Sequence, residues 1–375
     1  MKKPLQFCAI FAIAVQAAIG AHAAPTWSET KANDWYKQQP WLVGANYTPA
    51  TAINELEMWQ PDTFDPKTID QELGWAQGIG MNTMRVFLQD QLWTQDPKGF
   101  KKRIGEFLKI ADKHKIKPLF VLFDSCWDPN PKLGKQHDPV PGVHNSGWVQ
   151  SPGADELRDT TQYPKLHAYV TGVVGAFAHD RRVLGWDVWN EPDNGNDASY
   201  GPKEPKNKVE LITALLPQVF EWAREAKPDQ PLTSGVWKGD WSNPDTIGAM
   251  EKLQLSESDV VTFHNYGSGE DFERCIKSLQ RFNRPILCTE YMARGANSTF
   301  QGSLPIAKQY RVGAMNWGLV AGKTQTFLPW DSWQHPYTDR DPAIWFHEVF
   351  HTYGAPYRPA ETVFIKEITA SVNGE

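Results

Sequence analysis

The sequence has 375 residues, a formal net charge of -6 and a pI near 6.0. A chain of this length can bury a large core, and a single barrel domain can use all of it. The sequence has no basic field, so nucleic acid and anionic membrane surfaces are disfavoured as partners. It contains 17 tryptophans. Many of them lie in polar, proline-rich segments, which favours a surface that stacks against sugar rings.

The first 23 residues predict an export signal. They combine Lys2 and Lys3 with a short apolar stretch and end in the small-residue site Ala21-His22-Ala23, which predicts cleavage after Ala23. Residues 24–375 are then expected to form one domain that is secreted or periplasmic in a bacterium, without membrane contact. A retained membrane anchor is the alternative, but no stop-transfer pattern follows the apolar stretch.

The cysteines predict neither a zinc site nor a disulfide framework. Three remain after residue 23, namely Cys126, Cys275 and Cys288, and they show no CxxC or Cys/His ligand spacing. One disulfide is possible, and at least one thiol must then stay free or pair between molecules. We expect no metal and no other cofactor.

Eight short apolar runs predict buried strands. They cover residues 41–46, 82–88, 117–123, 183–189, 231–236, 259–264, 285–290 and 312–317. Amphipathic helical patterns lie between most of them. Two of these patterns have the apolar faces Ile69, Leu73 and Ala76, and Phe100, Ile104, Leu108 and Ala111. Repeated strand-helix alternation predicts an α/β fold, a single (β/α)8 TIM barrel, with an open doubly wound sheet as the alternative.

Two glutamates close predicted strands. Glu191 lies at the C-terminal end of the fourth run, two residues beyond it, and Glu290 ends the seventh; the C-terminal strand ends of such a barrel meet at its catalytic face. Two facing carboxyl groups can cleave a glycosidic bond, because one protonates the leaving oxygen while the other meets the charge at the anomeric carbon. We expect the carboxyl groups to lie about 5 to 5.5 Å apart, as in enzymes that retain the anomeric configuration.

The motifs "WNEP" at 189–192 and "TEY" at 289–291 resemble the retaining glycoside hydrolases of clan A, especially family 5. The likeness covers nearly all of residues 24–375. It implies a cellulase-like, xylanase-like or mannanase-like enzyme that cleaves β-linked oligo- or polysaccharides by double displacement. In this resemblance Glu191 is the acid/base and Glu290 is the nucleophile.

Further local matches to the same clan imply substrate-binding positions. They are Arg85 near the nucleophile, Asn190 on the sugar 2-hydroxyl, His264 and Tyr266 in a His-x-Tyr pair, and Trp317 beneath the cleaved sugar. Each has a simpler structural explanation as an ion-pair partner, a hydrogen-bonded histidine or a core aromatic residue. Many family members end the third strand in a sugar-binding histidine. This chain has "FDSCW" there, so the role is expected to pass to Asp124 or Trp127.

The connection at residues 124–160 is long, rich in proline and glycine, and without helical periodicity. Such a connection is usually functional or disordered, and Trp127, His144 and Trp148 favour an ordered one. Since it follows the third strand, it should lie on the catalytic face. We expect Trp127 and Trp148 to stack on sugar in a wall that confines binding to a short cleft or pocket. A platform that lengthens the cleft is the alternative.

Three other functions remain open on the sequence. A transglycosylase would use the same two glutamates and differ only in the acceptor. A non-catalytic sugar-binding barrel would keep the tryptophans but not need both carboxylates. A metal-dependent hydrolase would use Asp124, Asp128 and His264, but no HxH or HExxH spacing is present.

Overall fold

The computed structural model describes residues 25–243 and 245–370, so the predicted export signal at residues 1–23 lies outside the described residues. Within these ranges eight parallel strands form one sheet in the order β5-β4-β3-β2-β1-β8-β7-β6. The strands are β1 Val43–Asn46, β2 Thr83–Phe87, β3 Lys117–Val121, β4 Gly185–Asp187, β5 Leu232–Thr233, β6 Val261–Asn265, β7 Ile286–Tyr291 and β8 Gly313–Asn316.

Helices follow every strand and cover the outside of the sheet. They are α1 Glu29–Lys37, α2 Glu55–Trp59, α3 Pro66–Gly78, α4 Asp90–Gln95, α5 Pro97–Lys113, α6 Ala154–Arg158, α7 Tyr163–Phe177, α8 Lys208–Glu225, α9 Ala249–Glu257, α10 Gly269–Leu279, α11 Phe300–Gln309 and α12 Pro359–Ala370. Short 3-10 turns occur at several helix ends and in the loops. No helix within the described ranges is long and apolar enough to cross a membrane.

The barrel closes between β5 and β6, although β5 is only two residues long. The Val236 N–H donates to the Thr262 carbonyl at 3.0 Å, and the His264 N–H donates to the Val236 carbonyl at 3.0 Å. These bonds join the two ends of the sheet order and confirm the predicted (β/α)8 barrel. All eight predicted strands are present, and the structure shortens most of them by one to four residues.

Helix α5 shows how the sequence produces the outer layer. Asp96 caps its first turn by accepting from the Gly99 N–H at 2.8 Å, and Pro97 occupies the first helical position, where no N–H is needed. The predicted apolar face, Phe100, Ile104, Leu108 and Ala111, is buried against the sheet. The predicted face of α3 is buried as well.

Two long loops meet over the barrel mouth: the β3 loop, residues 122–153, and the β8 loop, residues 317–358. The Asn145 N–H donates to the Thr324 carbonyl at 2.8 Å, and the Trp333 indole donates to the His144 carbonyl at 2.9 Å. At Gly142 (φ +74°) a side chain would collide with the Tyr337 backbone 2.5 Å away. The end of the predicted irregular connection differs from expectation, since residues 154–158 form α6.

The cysteines of the described ranges, Cys126, Cys275 and Cys288, are free thiols. The disulfide that the sequence allowed is therefore not formed among them.

Candidate active site

Glu191 lies just beyond β4 in a strained backbone conformation. Its φ of +41° is in the left-handed region, which a non-glycine residue adopts at a cost of about 1 kcal/mol or more. The strain turns its side chain into the barrel mouth, where it is buried. Its Oε1 contacts His264 Nδ1 at 2.8 Å, and its Oε2 accepts from Asn194 at 2.7 Å and from the Cys126 thiol at 3.3 Å.

Glu290 lies within β7 and faces Glu191 across the mouth. Arg85 Nη1 donates to its Oε1 at 2.8 Å, and the Tyr266 hydroxyl donates to its Oε2 at 2.8 Å. A bulge in the β6–β7 pairing places His264 directly opposite Glu290. The structure thus brings together five of the predicted site residues from the ends of β2, β4, β6 and β7: Arg85, Glu191, His264, Tyr266 and Glu290.

The two carboxyl groups are close. One oxygen of Glu191, one oxygen of Glu290 and one nitrogen of His264 all lie within 4.8 Å of one another. His264 Nδ1 is 2.8 Å from Glu191 and 3.5 Å from Glu290. His264 Nδ1 therefore lies between the two carboxyl groups.

Burial sets the protonation of this group. It raises the pKa of Glu191 and of Glu290, and it lowers the pKa of His264 to about 4, so the imidazole is neutral near pH 7. Of the two carboxyl groups, only Glu290 accepts hydrogen bonds from Arg85 and Tyr266, and both bonds oppose the rise in its pKa. Negative charge is therefore best placed on Glu290 and a shared proton on Glu191. A protonated Glu191 can donate to the free lone pair of His264 Nδ1.

Arg85 is buried in β2 and organises the floor of the site. Besides Glu290, it donates to Asp187 from Nε at 3.0 Å and Nη2 at 2.7 Å, to Asn46 at 3.0 Å and to Asn190 at 2.7 Å. From the sequence, Glu290 was the natural carboxylate partner for Arg85. Asp187 was missed, although a second charged residue inside an otherwise apolar strand was a usable signal.

We expect Arg85→Met to lower the free energy of unfolding by about 3–5 kcal/mol, because it leaves the carboxylates of Asp187 and Glu290 buried and without a cation. Urea unfolding measures this loss. Adding Asp187→Asn to Arg85→Met should recover part of it, since one uncompensated charge is then removed. A loss below about 1 kcal/mol for Arg85→Met would contradict a buried charge network.

Asn190 is held from two sides. Its Oδ1 accepts from Arg85, and its Nδ2 donates to Asp124 at 2.9 Å. Asp124 also accepts from the Trp148 indole at 2.7 Å and from the Cys126 N–H at 3.0 Å. Asp124 is buried, so it fixes Asn190 and Trp148 in place at the end of β3.

Cys126 and Asn194 contact Glu191 and were not predicted as site residues. Both donate to its Oε2, and Asn194 lies only three residues beyond it in the turn after β4. Burial raises the pKa of the Cys126 thiol well above its ordinary value, so the group stays protonated and donates. The contact of Asn194 with Glu191 could have been predicted, because the two residues lie in the same short turn. The contact of Cys126 could not, because it depends on the conformation of the β3 loop.

Two pockets flank the carboxyl pair on opposite sides. The β1–β8 pocket is narrow, about 20 Å³, and is lined by Asn46, Phe87, Asn145, Trp148, Trp317 and Glu348, among others. The β5–β6 pocket is larger, about 310 Å³, and is lined by Glu191, Trp237, Trp241, His264, Tyr266 and Cys275, among others. A ligand in the β5–β6 pocket would therefore contact Glu191 directly.

The predicted sugar-stacking tryptophans occupy different surroundings. Trp148 and Trp317 form an aromatic group with Phe87 in the β1–β8 pocket, with ring centroids 5.2 to 6.1 Å apart. Trp148 is almost fully buried, so only a small part of its ring reaches the pocket. Trp127 stacks against Trp333 at 5.6 Å and thereby joins the β3 loop to the β8 loop.

Glu191, His264 and Glu290 also form a group that could hold a metal ion by distance alone. Arg85 lies 2.8 Å from Glu290, and its fixed positive charge opposes a cation at that carboxylate. The charge distribution therefore favours proton transfer and attack on carbon over metal binding at these three side chains.

No protein-family model and no curated protein matches the sequence. Solved structures do resemble the fold. GH5_18 from Streptomyces cattleya, solved in complex with GlcNAc, has a TM-score of 0.60 and 12% identity, with 90% of this chain and 81% of that chain covered. An exo-β-1,4-mannosidase from Opitutaceae bacterium strain TAV5 has a TM-score of 0.57 and 17% identity, with 88% and 59% covered.

An endo-β-1,4-mannanase from Thermotoga petrophila is similar to the same extent. Its TM-score is 0.57 at 15% identity, and the alignment covers 91% of this chain and 78% of that chain. At these identities the likeness concerns the course of the backbone over almost the whole described chain. This chain therefore shares its single-domain (β/α)8 barrel with all three proteins, of which one is named a β-1,4-mannosidase and one a β-1,4-mannanase.

Proposed function

We propose that the protein is a retaining β-glycoside hydrolase in which Glu290 is the nucleophile and Glu191 is the acid/base. The observation that carries the proposal is the asymmetry of the buried carboxyl pair. Oxygens of both groups lie within 4.8 Å, yet only Glu290 is bonded to Arg85 and Tyr266. Retaining glycosidases place their carboxyl groups about 5–5.5 Å apart, whereas inverting enzymes need about 6.5–9.5 Å to admit a water molecule.

In the first step the ionised Glu290 attacks the anomeric carbon while Glu191 gives its proton to the departing glycosidic oxygen. As Glu290 loses its charge to the new ester bond, the Tyr266 hydroxyl remains bonded to Oε2, and Arg85 keeps its second carboxylate partner, Asp187. Glu191 is then ionised and accepts hydrogen bonds from Asn194 and from the Cys126 thiol. In the second step it removes a proton from water, which attacks the same carbon and releases Glu290.

The strain at Glu191 supports catalysis over sugar binding alone. A φ of +41° at a non-glycine residue persists only where the surroundings compensate for it, and such residues cluster at active sites. The structural neighbours support β-1,4-mannosides as the first substrates to test. Export from the cell, which the N-terminal sequence predicts, belongs to the same proposal, because extracellular glycans are then accessible.

The test is product analysis on aryl β-glycosides and on oligosaccharides of mannose, glucose and xylose. We expect hydrolysis without added cofactor, and proton NMR at early times should show a β-configured product that later mutarotates. An initial α product would overturn the retaining mechanism. Added sugar or alcohol acceptors in the same assay would reveal transglycosylation as a second product. A purified, folded protein that cleaves no substrate in the panel would contradict the proposed function.

A further inference from the structure

A buried lysine at the start of α8 has an acceptor for each of its three N–H groups. The Lys208 side chain is 4% exposed. Its ammonium donates to the Ser125 carbonyl at 2.8 Å, to the Asn194 carbonyl at 2.8 Å and to Glu204 Oε1 at 2.7 Å. A buried ammonium is costly unless its N–H groups are paired in this way. Lys208 therefore fixes the positions of the groups that it joins.

Two of these acceptors belong to the segments that contact the acid/base. Ser125 precedes Cys126 in the β3 loop, and Asn194 lies in the turn after β4. The Cys126 thiol donates to Glu191 Oε2 at 3.3 Å, and the Asn194 amide donates to the same oxygen at 2.7 Å. Lys208 thus joins the main chains of the two segments that carry these two donors.

Asn196 joins the same two segments a second time. Its Nδ2 donates to the Ser125 carbonyl at 2.9 Å and to Glu204 Oε1 at 2.5 Å. Its N–H donates to Asn194 Oδ1 at 2.8 Å, which orients that amide so that Nδ2 meets Glu191. The buried ion pair at the start of α8 is therefore part of one network that ends at the acid/base.

The two donors determine which oxygen of Glu191 carries the proton. Oε2 accepts two hydrogen bonds, whereas Oε1 contacts His264 Nδ1 at 2.8 Å. An oxygen that accepts two hydrogen bonds is best left unprotonated, so the proton belongs on Oε1, where the neutral imidazole can accept it. We propose that Lys208 is a positioning residue for the acid/base: by joining Ser125 to Asn194, it keeps both donors on Oε2 and the transferable proton on Oε1.

This inference rests on the proposed function and is tested on a phenyl and a dinitrophenyl glycoside of the sugar that the wild type cleaves. Donors to Oε2 favour the ionised carboxylate and oppose the rise that burial causes in the pKa of Glu191. Lys208→Met should therefore move the alkaline limb of kcat/KM for the phenyl glycoside to higher pH, by about 0.5–1 pH unit. It should also lower the plateau by about tenfold. The dinitrophenyl glycoside needs almost no protonation, so its kcat/KM should stay near that of the wild type.

A charge-balanced variant separates positioning from the loss of a positive charge. Lys208→Met combined with Glu204→Gln removes both charges of the buried pair, and it should show the same shift of the alkaline limb. Among the described residues, Lys208 bonds to none of the other charged or titratable side chains that face Glu191. Those side chains are Arg85, Asp193, His264, Tyr266 and Glu290. The charged or titratable groups around Lys208 itself are Asp124, Cys126 and Glu204.

Variants of the thiol test the same network from its other end. Cys126→Ala removes one donor to Oε2 and leaves Lys208 in place, so its alkaline limb should also move to higher pH. Cys126→Ser keeps a donor and should stay near the wild type. Lys277→Met is the matched control, because Lys277 pairs with Glu273 at the same i,i+4 spacing but on the exposed face of α10. Its rates and pH profile should equal those of the wild type.

The outcomes separate the inference from the proposed function. If the wild type cleaves no glycoside, the proposed function fails and the inference fails with it. If the wild type is active, an unchanged alkaline limb in Cys126→Ala, or in a Lys208 variant that circular dichroism shows to be folded, makes the inference alone wrong. Equal losses on the phenyl and dinitrophenyl glycosides would also overturn it, because they would indicate general damage to the site.

Discussion

Replacing Glu290 with alanine is expected to reduce kcat on every substrate by about 10⁴- to 10⁶-fold. The physical reason is that the variant lacks the carboxylate that forms the covalent intermediate. The loss should not depend on the leaving group. Arg85 keeps Asp187 as a buried counter-ion, so the variant should remain folded, which circular dichroism checks.

Azide provides the decisive measurement for this variant. The shortened side chain leaves space on the nucleophile's face, and azide entering there should displace an activated aryl leaving group to give the α-glycosyl azide. Glu210→Ala, which changes an exposed glutamate of α8, serves as the control and should keep full activity. If Glu290→Ala retained more than about one per cent of the wild-type kcat without azide, Glu290 would not be the nucleophile.

The strand-helix pattern and the two strand-end glutamates could be predicted from the sequence because both depend on local periodicity. Buried parallel strands read as short apolar runs, and the barrel then dictates that their C-terminal ends converge. Glu191 and Glu290 are 99 positions apart, yet the alternation alone was enough to expect them at one mouth. Arg85 was predictable for a related reason, since a cation in an apolar strand must have a carboxylate partner.

The contacts that depend on loop conformation could not be predicted in this way. Asn145 and Glu348 lie on the β3 loop and the β8 loop, where no periodicity relates sequence position to direction. The Cys126 contact to Glu191 also depends on a loop, since Trp127, the next residue, turns through a φ of +73°. The joined β3 and β8 loops are consistent with the predicted wall beside the cleft. Trp148, however, is buried against Phe87 and presents little of its ring for stacking on a sugar.

Glu191→Ala is expected to behave differently from Glu290→Ala. Loss of the general acid should lower kcat/KM on oligosaccharides by about 10²- to 10⁴-fold, because a sugar alkoxide is a poor leaving group. A dinitrophenyl glycoside needs almost no protonation to depart, so its kcat/KM should change little. Kinetics on a series of aryl glycosides measures this as a steeper dependence on the leaving-group pKa. Equal losses on all of them would contradict the acid/base assignment.

The pH profile and azide give two further results for Glu191→Ala. Burial raises the pKa of Glu191, so the wild-type kcat/KM on an unactivated phenyl glycoside should fall on the alkaline side as this acid loses its proton, and the variant should lack that limb on the same substrate. Azide needs no general base, so it should accelerate breakdown of the ester on Glu290 and give the β-glycosyl azide. An α-azide from one variant and a β-azide from the other would assign each carboxyl group to its own face of the sugar.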